Sequence, residues 1–303
     1  MTPEMSSPSP LAPAALALPA GGGKRPRTRV IGPAAAYLTL ILLGIVVLTP
    51  FLWMISTSLQ SDQGLFQIPP QIVPTDPQWH NYSDALSAVP FLTWARNTLV
   101  ICVLNVIGQL LCCTVVAYGF ARLRFPGRGP LFILVLATLL LPSQILLVPQ
   151  FILFSKLGWV NTFLPLTVPA FFGGGAGAFF IFLIRQYMRT LPYELDEAGR
   201  IDGANTWGIL FRILLPLIKP PLTIVAVFTF TDAYNDFINP LIYLADNSKY
   251  TLALGLSSFI GQYSSNWNWL MCAAVVILLP LLLIYYFAQR LLIGGIASVG
   301  LKG

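Results

Sequence analysis

Two carboxylates interrupt an apolar stretch in the last third of the chain, LTIVAVFTFTDAYNDFINPLIYL at 222–244. The side chains of chemical interest there are Asp232, Tyr234, Asn235, Asp236 and Asn239. If the stretch is one helix, all of these except Tyr234 share a face, because they are spaced i, i+3, i+4 and i+7. A carboxylate inside a membrane costs roughly 2.5–3.5 kcal/mol on the insertion scale, so it needs protein or water around it. The set predicts a lining of a translocation path or an interface with a partner span, with an interhelical hydrogen-bond cluster as the alternative.

Two kinds of transport chemistry are open to these carboxylates. They could carry protons in a stand-alone secondary transporter, or they could face a solute. The apolar stretches have Lys and Arg only at their ends. A path of carboxylates, amides and aromatic rings suits a neutral polyhydroxyl solute. An anion such as glycerol phosphate would need Arg or Lys, which a partner chain could still supply.

No catalytic or metal-binding constellation is found in the sequence. There is no GxxxxGK[ST] stretch and hence no phosphate-binding loop. The one histidine, His80, cannot form a zinc site by itself. The cysteines all fall in apolar segments without metal-type or redox spacing, and they are Cys102, Cys112, Cys113 and Cys272. We therefore predict that the chain is not an enzyme and has no catalytic residue, metal or cofactor.

The longest charged interruption is LDEAGRIDGANTWGILFRILLPLIKPP at 195–221, which follows Glu194. Apolar residues recur there at the spacing of one helix face, at Leu195, Ala198 and Ile201. Gly203 breaks the pattern, and a second helical stretch ends at Pro216. The segment therefore predicts a short amphipathic helix, a turn and a second helix. Its apolar face either packs on the membrane surface or fits a groove on a cytoplasmic protein.

The elements that must position these residues are membrane helices. Charged residues make up 9% of the chain and apolar residues 56%, where a soluble domain has about 25% charged residues. Several apolar runs approach the ~20 residues that cross a bilayer. The predicted fold is all-α and polytopic, with six spans at about 34–56, 97–121, 130–151, 163–184, 221–244 and 269–291. Prolines and glycines in the third and fourth spans predict broken backbone that neighbouring protein or a watery cavity must satisfy.

The orientation follows from the basic residues, which lie at the ends of the apolar runs. Fourteen Lys and Arg residues fall on the side of both termini and the 194–216 segment, and three fall on the other side, at Arg96, Lys156 and Lys249. The positive-inside rule places the larger group in the cytoplasm. The net charge of +6 is therefore a topology signal and predicts no nucleic-acid partner. We divide the chain into a disordered basic tail (1–29), a transmembrane domain (30–293) that includes the 194–216 segment, and a cytoplasmic C-terminal tail (294–303).

The charged segment also carries a family resemblance. Glu197-Ala198-Gly199 is followed after three residues by Gly203, after nine more by Ile213, and then by Leu215-Pro216. This spacing resembles the EAA loop of bacterial ABC importer permeases, EAA-x3-G-x9-I-x-LP, with Gly199 in place of the second alanine. Four further segments resemble the maltose-type (MalG-like) branch of sugar permeases: ARLRFPGR at 121–128, LPSQILLVPQF at 141–151, YNDFINPLIYL at 234–244 and RLLIGGIASVGLKG at 290–303.

The resemblance implies a type I ABC importer permease fold in the bacterial cytoplasmic membrane, and a sugar or oligosaccharide as the substrate. It implies four kinds of partner: a second homologous permease subunit, two cytoplasmic ATPase subunits that hold ATP and Mg, an extracytoplasmic solute-binding protein, and the surrounding lipid. The second permease could be a different chain or another copy of this one. A membrane scaffold or receptor without an ATPase is the remaining alternative.

The resemblance also assigns site residues. The ATPase-coupling loop would comprise Glu194, Asp196, Glu197, Ala198, Gly199, Arg200, Asp202, Gly203, Ala204 and Asn205. A C-terminal tail reaching between the ATPases would comprise Gly294, Gly295, Gly300, Lys302 and Gly303. Because some relatives hold the sugar mainly on the partner permease, the aspartates of the 222–244 stretch need not touch it.

Overall fold

The structure, a computed structural model, describes residues 32–69, 71–260 and 266–300. Its regular elements are helices throughout these ranges. In chain order the α-helices are α1 (Pro33–Ser58), α2 (Asp62–Leu65), α3 (His80–Ser87), α4 (Phe91–Arg122), α5 (Arg128–Ala137), α6 (Ser143–Lys156), α7 (Leu164–Thr167), α8 (Gly177–Thr190), α9 (Glu194–Ile201), α10 (Thr206–Gly208), α11 (Leu215–Leu217), α12 (Lys219–Asn235), α13 (Ile238–Tyr243), α14 (Leu252–Gly255) and α15 (Trp267–Gly300). The tail at 1–29 lies outside the described residues.

Shorter helical turns join several of these helices. The 3-10 turns are Thr138–Leu140, Val168–Phe172, Asn247–Lys249 and Leu256–Phe259. A π-helical segment, Ile209–Leu214, connects α10 to α11.

Within the described ranges, four helices are long and apolar enough to cross a membrane: Ala34–Ser58, Phe91–Arg122, Leu164–Thr190 and Trp267–Gln289. Two bent pairs also pass the same test of length and composition, Arg128–Leu140 with Ser143–Lys156 and Thr206–Leu217 with Lys219–Asn235. The number of spans is six if each bent pair is one span.

The third predicted span is not one continuous helix. Its two halves meet at 98° around Leu141 and Pro142. Proline has no N–H to donate and disfavours helical backbone in the residue before it. Leu141 accordingly adopts extended backbone, with φ −81° and ψ 117°.

The fifth predicted span is also interrupted, so the single helix expected over 221–244 is wrong. Helix α12 ends at Asn235, Asp236 is extended, and α13 begins at Ile238. The cause lies four residues after Asp236, at Pro240. A proline cannot donate to the carbonyl at i−4, and its ring clashes with that carbonyl. The expected continuous face from Asp232 to Asn239 is therefore split between two helices.

The chain divides into two compact units at Thr49–Pro50. In the first unit, the described residues form the first part of α1, and its large apolar side chains are exposed. The second unit contains the buried core. One cluster joins α4, α5, α8, the π segment and α12, and a smaller one surrounds Trp94 and Tyr234.

Three side chains of α4, one helical turn apart, hydrogen-bond to the irregular backbone of the fourth span: Asn105, Gln109 and Cys113. The Asn105 amide donates to the Leu166 carbonyl at 2.8 Å. The Gln109 amide donates to the Gly174 carbonyl at 2.5 Å. The Cys113 thiol lies 3.6 Å from the Gly177 carbonyl. This ladder confirms that neighbouring protein satisfies the broken backbone, as such backbone requires at membrane depth.

The end of α4 opposite Arg122 carries the connection between α13 and α14. The Trp94 indole donates to the Asn247 carbonyl at 2.9 Å. The Asn97 amide donates to the Ser248 and Tyr250 carbonyls, and Thr98 accepts from the N–H of Leu252 at 2.8 Å. Because these three side chains hold four main-chain groups, this connection is fixed to the first turns of α4.

Asn161 attaches the connection after α6 to the same region. It has φ +60°, and its N–H donates to the Tyr243 carbonyl at 2.7 Å. Its side-chain oxygen accepts from the N–H groups of Ala245 and Asp246, both at 3.2 Å. Its main-chain carbonyl accepts from the Lys249 ammonium at 2.8 Å. We call this set of contacts the Asn161 clamp.

Candidate functional site

Helix α9 and the turn after it are defined by local sequence. Three acidic residues lie in the first turn, where they complement the positive end of the helix dipole: Glu194, Asp196 and Glu197. Gly203 has φ +83°, a left-handed conformation that favours glycine. Its N–H bonds to the Arg200 carbonyl, and the Ala204 N–H bonds to the Gly199 carbonyl, which is the Schellman pattern of a helix end. The predicted break at Gly203 is confirmed.

The second helical stretch begins at Asn205. The Asn205 side chain accepts a hydrogen bond from the Gly208 N–H at 2.8 Å and so caps α10. The π segment that follows buries Ile209, Leu210 and Leu214 in the core. The predicted helix–turn–helix is therefore attached to the core through its second half.

The exposed face of α9 carries both charge and apolar surface. Glu194, Glu197, Ala198 and Arg200 are exposed, together with Asp202 and Gly203 beyond the helix end. The predicted apolar face of Leu195, Ala198 and Ile201 is only partly covered by the described chain: Leu195 is half-buried, Ala198 is exposed and Ile201 is 86% exposed. Beyond the turn, the exposed rings of Trp207 and Phe211 stack with centroids 6.0 Å apart. We define the candidate docking surface as these exposed groups of α9 and of the stretch after its turn: Glu197, Ala198, Ile201, Trp207 and Phe211.

The buried face of α9 consists of Asp196 and Gly199. A Cβ on Gly199 would lie 2.6 Å from Cδ1 of Ile213 and 3.3 Å from Cγ1 of Ile209. Glycine thus brings the backbone of α9 into close contact with the π segment. This contact accounts for the glycine where the EAA pattern has its second alanine.

Asp196 is wholly buried and forms the one ion pair found in the described part of the chain. Its Oδ2 lies 3.4 Å from Nη1 of Arg122, the last residue of α4. Burial raises the pKa of the Asp196 carboxyl, because removal from water disfavours the charged form, and the nearby Arg122 and Arg200 oppose this rise. The ion pair joins a long helix of the bundle directly to α9.

Sequence reasoning used Arg122 as a topology charge and as part of the ARLRFPGR segment, and it did not predict a partner for it. Its separation from Asp196 along the chain hides the contact, because the pairing depends on how α4 and α9 pack. The sequence does show that Arg122 and Asp196 each lie a few residues from the end of an apolar run. That signal places both on one side of the bundle without pairing them.

The polar residues of the fifth predicted span are separated by the structure. Asp232 and Asn235 are exposed in the last turn of α12. The Asn239 amide donates to Oδ2 of Asp236 at 2.9 Å, across the break. Tyr234 is buried, stacks on Phe230 and donates to the Ile277 carbonyl at 2.8 Å. Tyr234 therefore packs against α15, on the side of α12 opposite Asp232.

The C-terminal residues differ in what the structure describes. Gly294, Gly295 and Gly300 continue the backbone of α15. Lys302 and Gly303 lie outside the described residues.

Comparison with known proteins gives the fold and this segment a family context. The family described as "Binding-protein-dependent transport system inner membrane component" matches residues 109–297. The chain belongs to this family. The matched residues include α9, the candidate docking surface and the α12–α13 break.

Three relatives show how widely the similarity extends. The chain is 37% identical to the arabinooligosaccharides transport system permease protein AraQ of Halalkalibacterium halodurans, over 70% of this chain and 75% of that protein. It is 30% identical to the galactooligosaccharides transport system permease protein GanQ of Bacillus subtilis, over 88% and 95%. It is 29% identical to the maltose/maltodextrin transport system permease protein MalG of Escherichia coli, over 88% and 95%.

A solved structure shares the fold. It is a chain of a bacterial ABC transporter involved in the import of the acidic polysaccharide alginate, with a TM-score of 0.76 and 22% identity over 87% of this chain and 97% of that chain. The family and this likeness establish a type I ABC importer permease fold and a multi-pass inner-membrane transport component.

Proposed function

We propose that the chain is a membrane-spanning permease subunit of a binding-protein-dependent ABC importer that brings a sugar or oligosaccharide into the cell. The family supports the importer role, and the names of the relatives support an oligosaccharide as substrate. The six spans predicted from the sequence contain Lys and Arg only at their ends, which favours a neutral solute over glycerol phosphate.

In this proposal the chain has six spans: the bent pair Arg128–Leu140 with Ser143–Lys156 counts as one, the fifth begins in α12 after the docking surface, and both termini are in the cytoplasm. Lys and Arg residues are more numerous on the side of the membrane that carries α9 than on the side that carries Asn161. By the positive-inside rule, α9 therefore lies in the cytoplasm. The Asn161 clamp and the connection before α14 then face the extracytoplasmic solute-binding protein.

The candidate docking surface is the observation that carries the proposal. Glu197, Ala198 and Ile201 project from a helix whose other face is held by Asp196 and Gly199. The exposed isoleucine of α9 and the exposed indole and phenyl rings beyond the turn are apolar surface that a partner protein would cover. We assign α9 as the coupling helix that docks in a groove of one cytoplasmic ATPase. That partner would bind ATP and Mg and drive alternating access by hydrolysis.

The polar residues at the α12–α13 break have a second role in the proposal. Asp232 and Asn235 present a carboxylate and an amide at an exposed surface, and the Asp236–Asn239 pair lies next to them along the chain. We assign this surface to the translocation path or to the second permease subunit. The C-terminal residues from Gly294 to Gly303 would contact the ATPases.

The experiment reverses one charge on the docking surface. Glu197→Lys should leave membrane insertion intact and uncouple ATP hydrolysis from transport in a reconstituted importer with its ATPase and solute-binding protein. Thr190→Lys is the matched control, because Thr190 is exposed at the end of α8 and the change adds a positive charge outside α9. Normal transport by the Glu197→Lys importer would overturn the coupling role.

The substrate is tested separately. The solute-binding protein recovered with the importer should bind a neutral oligosaccharide in a ligand screen. Binding of glycerol phosphate in preference would move the substrate to the anionic class. Proton-coupled uptake by this chain alone, without ATPase, would instead support the secondary-transporter alternative.

A further inference from the structure

Arg122 makes three contacts with the segment that begins α9. Its Nη2 donates to the Leu191 carbonyl at 3.1 Å, and its Nη1 lies 3.4 Å from Oδ2 of Asp196. Its guanidinium carbon lies 5.6 Å from the centre of the Tyr193 ring, a cation–π contact. The Arg122 and Asp196 side chains are 4% and 0% exposed. The Arg122 guanidinium at the end of α4 therefore contacts Leu191, Tyr193 and Asp196, which lie just before α9 and in its first turn.

Stability alone does not explain this arrangement. A buried ion pair pays a large desolvation cost, and apolar residues of similar volume often stabilise a protein as well or better. Here Nε of Arg122 and both carboxylate oxygens of Asp196 are buried and have no hydrogen-bond partner among the described residues. The distance of 3.4 Å is also longer than a strong charge-assisted hydrogen bond. Fixing the position of one element relative to another is a role that such pairs have in other proteins, and it matches the contacts of Arg122 with the segment before and within α9.

Helix α4 connects this pair to the opposite end of the bundle. Its 32 residues rise about 48 Å at 1.5 Å per residue. At its first turns, Trp94, Asn97 and Thr98 hold the connection between α13 and α14. Between the two ends it packs against α8 and α12 through the main core cluster. A displacement of α9 that is carried by Arg122 would thus reach the far connection through one helix.

We propose that Arg122 is a positioning residue that couples α9 to α4, so that movement of the coupling helix is delivered along α4 to the connection held by Trp94, Asn97 and Thr98. This inference rests on the proposed function. It assigns transmission of the movement to a residue outside the docking surface.

The test compares Arg122→Met with Arg124→Met in the complete reconstituted importer. Both changes remove one positive charge at the end of α4, but Arg124 is exposed whereas Arg122 is buried. At equal amounts of assembled complex, Arg122→Met should lower transport per ATP hydrolysed by roughly tenfold, within the range measured for residues along a coupling network. Arg124→Met should stay within about twofold of the unsubstituted importer.

Two further variants separate positioning from folding. The charge-swapped Arg122→Asp with Asp196→Arg should recover part of the transport per ATP that Arg122→Met loses. Arg122→Lys keeps the positive charge but loses the guanidinium fork. We expect this importer to assemble, with transport per ATP hydrolysed between the values of Arg122→Met and Arg124→Met. If the Arg122→Met importer does not assemble, the Arg122→Lys importer provides the test. Transport per ATP by Arg122→Lys that equals that of Arg124→Met would overturn the inference. An unsubstituted importer that shows no ATP-driven transport overturns the proposed function instead.

Discussion

The side-chain amide of Asn105 donates a hydrogen bond to the main-chain carbonyl of Leu166 across 2.8 Å. This bond replaces one that the backbone cannot make. Pro169, three residues after Leu166, has no N–H to give to that carbonyl in a 3-10 turn. A polar side chain on α4 therefore satisfies a carbonyl in the fourth span that proline has left without its local donor.

We expect Asn105→Leu to destabilise the protein, because it leaves the Leu166 carbonyl without a donor at a cost of about 1–3 kcal/mol. The measurement is the thermal unfolding midpoint of the purified protein in detergent. Asn235→Leu is the matched control, since the one bond of the exposed Asn235 amide within the described ranges is to the Thr231 carbonyl of its own helix. Equal shifts for the two variants would contradict the assignment.

A second prediction concerns the contact between Gly199 and Ile213. Gly199→Ala should change the free energy of unfolding little, because two effects oppose each other. Alanine favours a helix by about 1 kcal/mol over glycine, but its Cβ would lie 2.6 Å from Cδ1 of Ile213. Ile213→Val removes that methyl group. The double variant should be more stable than the sum of the single changes predicts, with a coupling of at least about 0.5 kcal/mol in unfolding measurements. If the effects of the two single changes on the free energy of unfolding add, the Cβ introduced at position 199 does not contact Ile213.

A third prediction follows from the raised pKa of the Asp196 carboxyl. In the unfolded chain its pKa is near the usual 3.8, and in the folded protein it is higher. Between these two values the folded state binds more protons than the unfolded state, so the contribution of Asp196 to stability falls as the pH rises through this window. Above the folded pKa the contribution no longer changes.

The comparison of unsubstituted protein with Asp196→Asn isolates this group, because asparagine does not titrate. The difference in unfolding midpoint, unsubstituted minus variant, should decline as the pH is raised from about 4 and then level off. A difference that increases with pH would mean that Arg122 outweighs burial and lowers the carboxyl pKa.

The sequence predicted local features well where local rules decide them. The end of α9 at Gly203 follows from the glycine that a left-handed turn favours, and the disturbed third and fourth spans follow from their prolines and glycines. Pro240 was also visible in the sequence. Its effect four residues upstream, at Asp236, was missed because the apolar run continues through it.

The sequence could not predict which residues meet across the fold. Asp196 and Arg122 are both charged and near the ends of apolar runs, but their burial against each other depends on the packing of α9 beneath α4. Tyr234 was grouped with Asp232 because the two residues are close along the chain. A tyrosine two residues from an aspartate in an apolar run carries no local sign of which neighbouring helix it faces, and here its hydroxyl reaches the Ile277 carbonyl.

The Asn161 clamp has a consequence for how the protein is made. Asn161 binds Lys249, which is 88 residues later in the chain. During synthesis Asn161 leaves the ribosome first, and its φ of +60° and side chain have no such partners until the segment after α13 has been inserted. Contacts of this sequence separation form late, since the chain between them must be ordered first. The clamp therefore closes only when insertion has passed α13, and its closure marks the point in biogenesis at which the two connections become one structural unit.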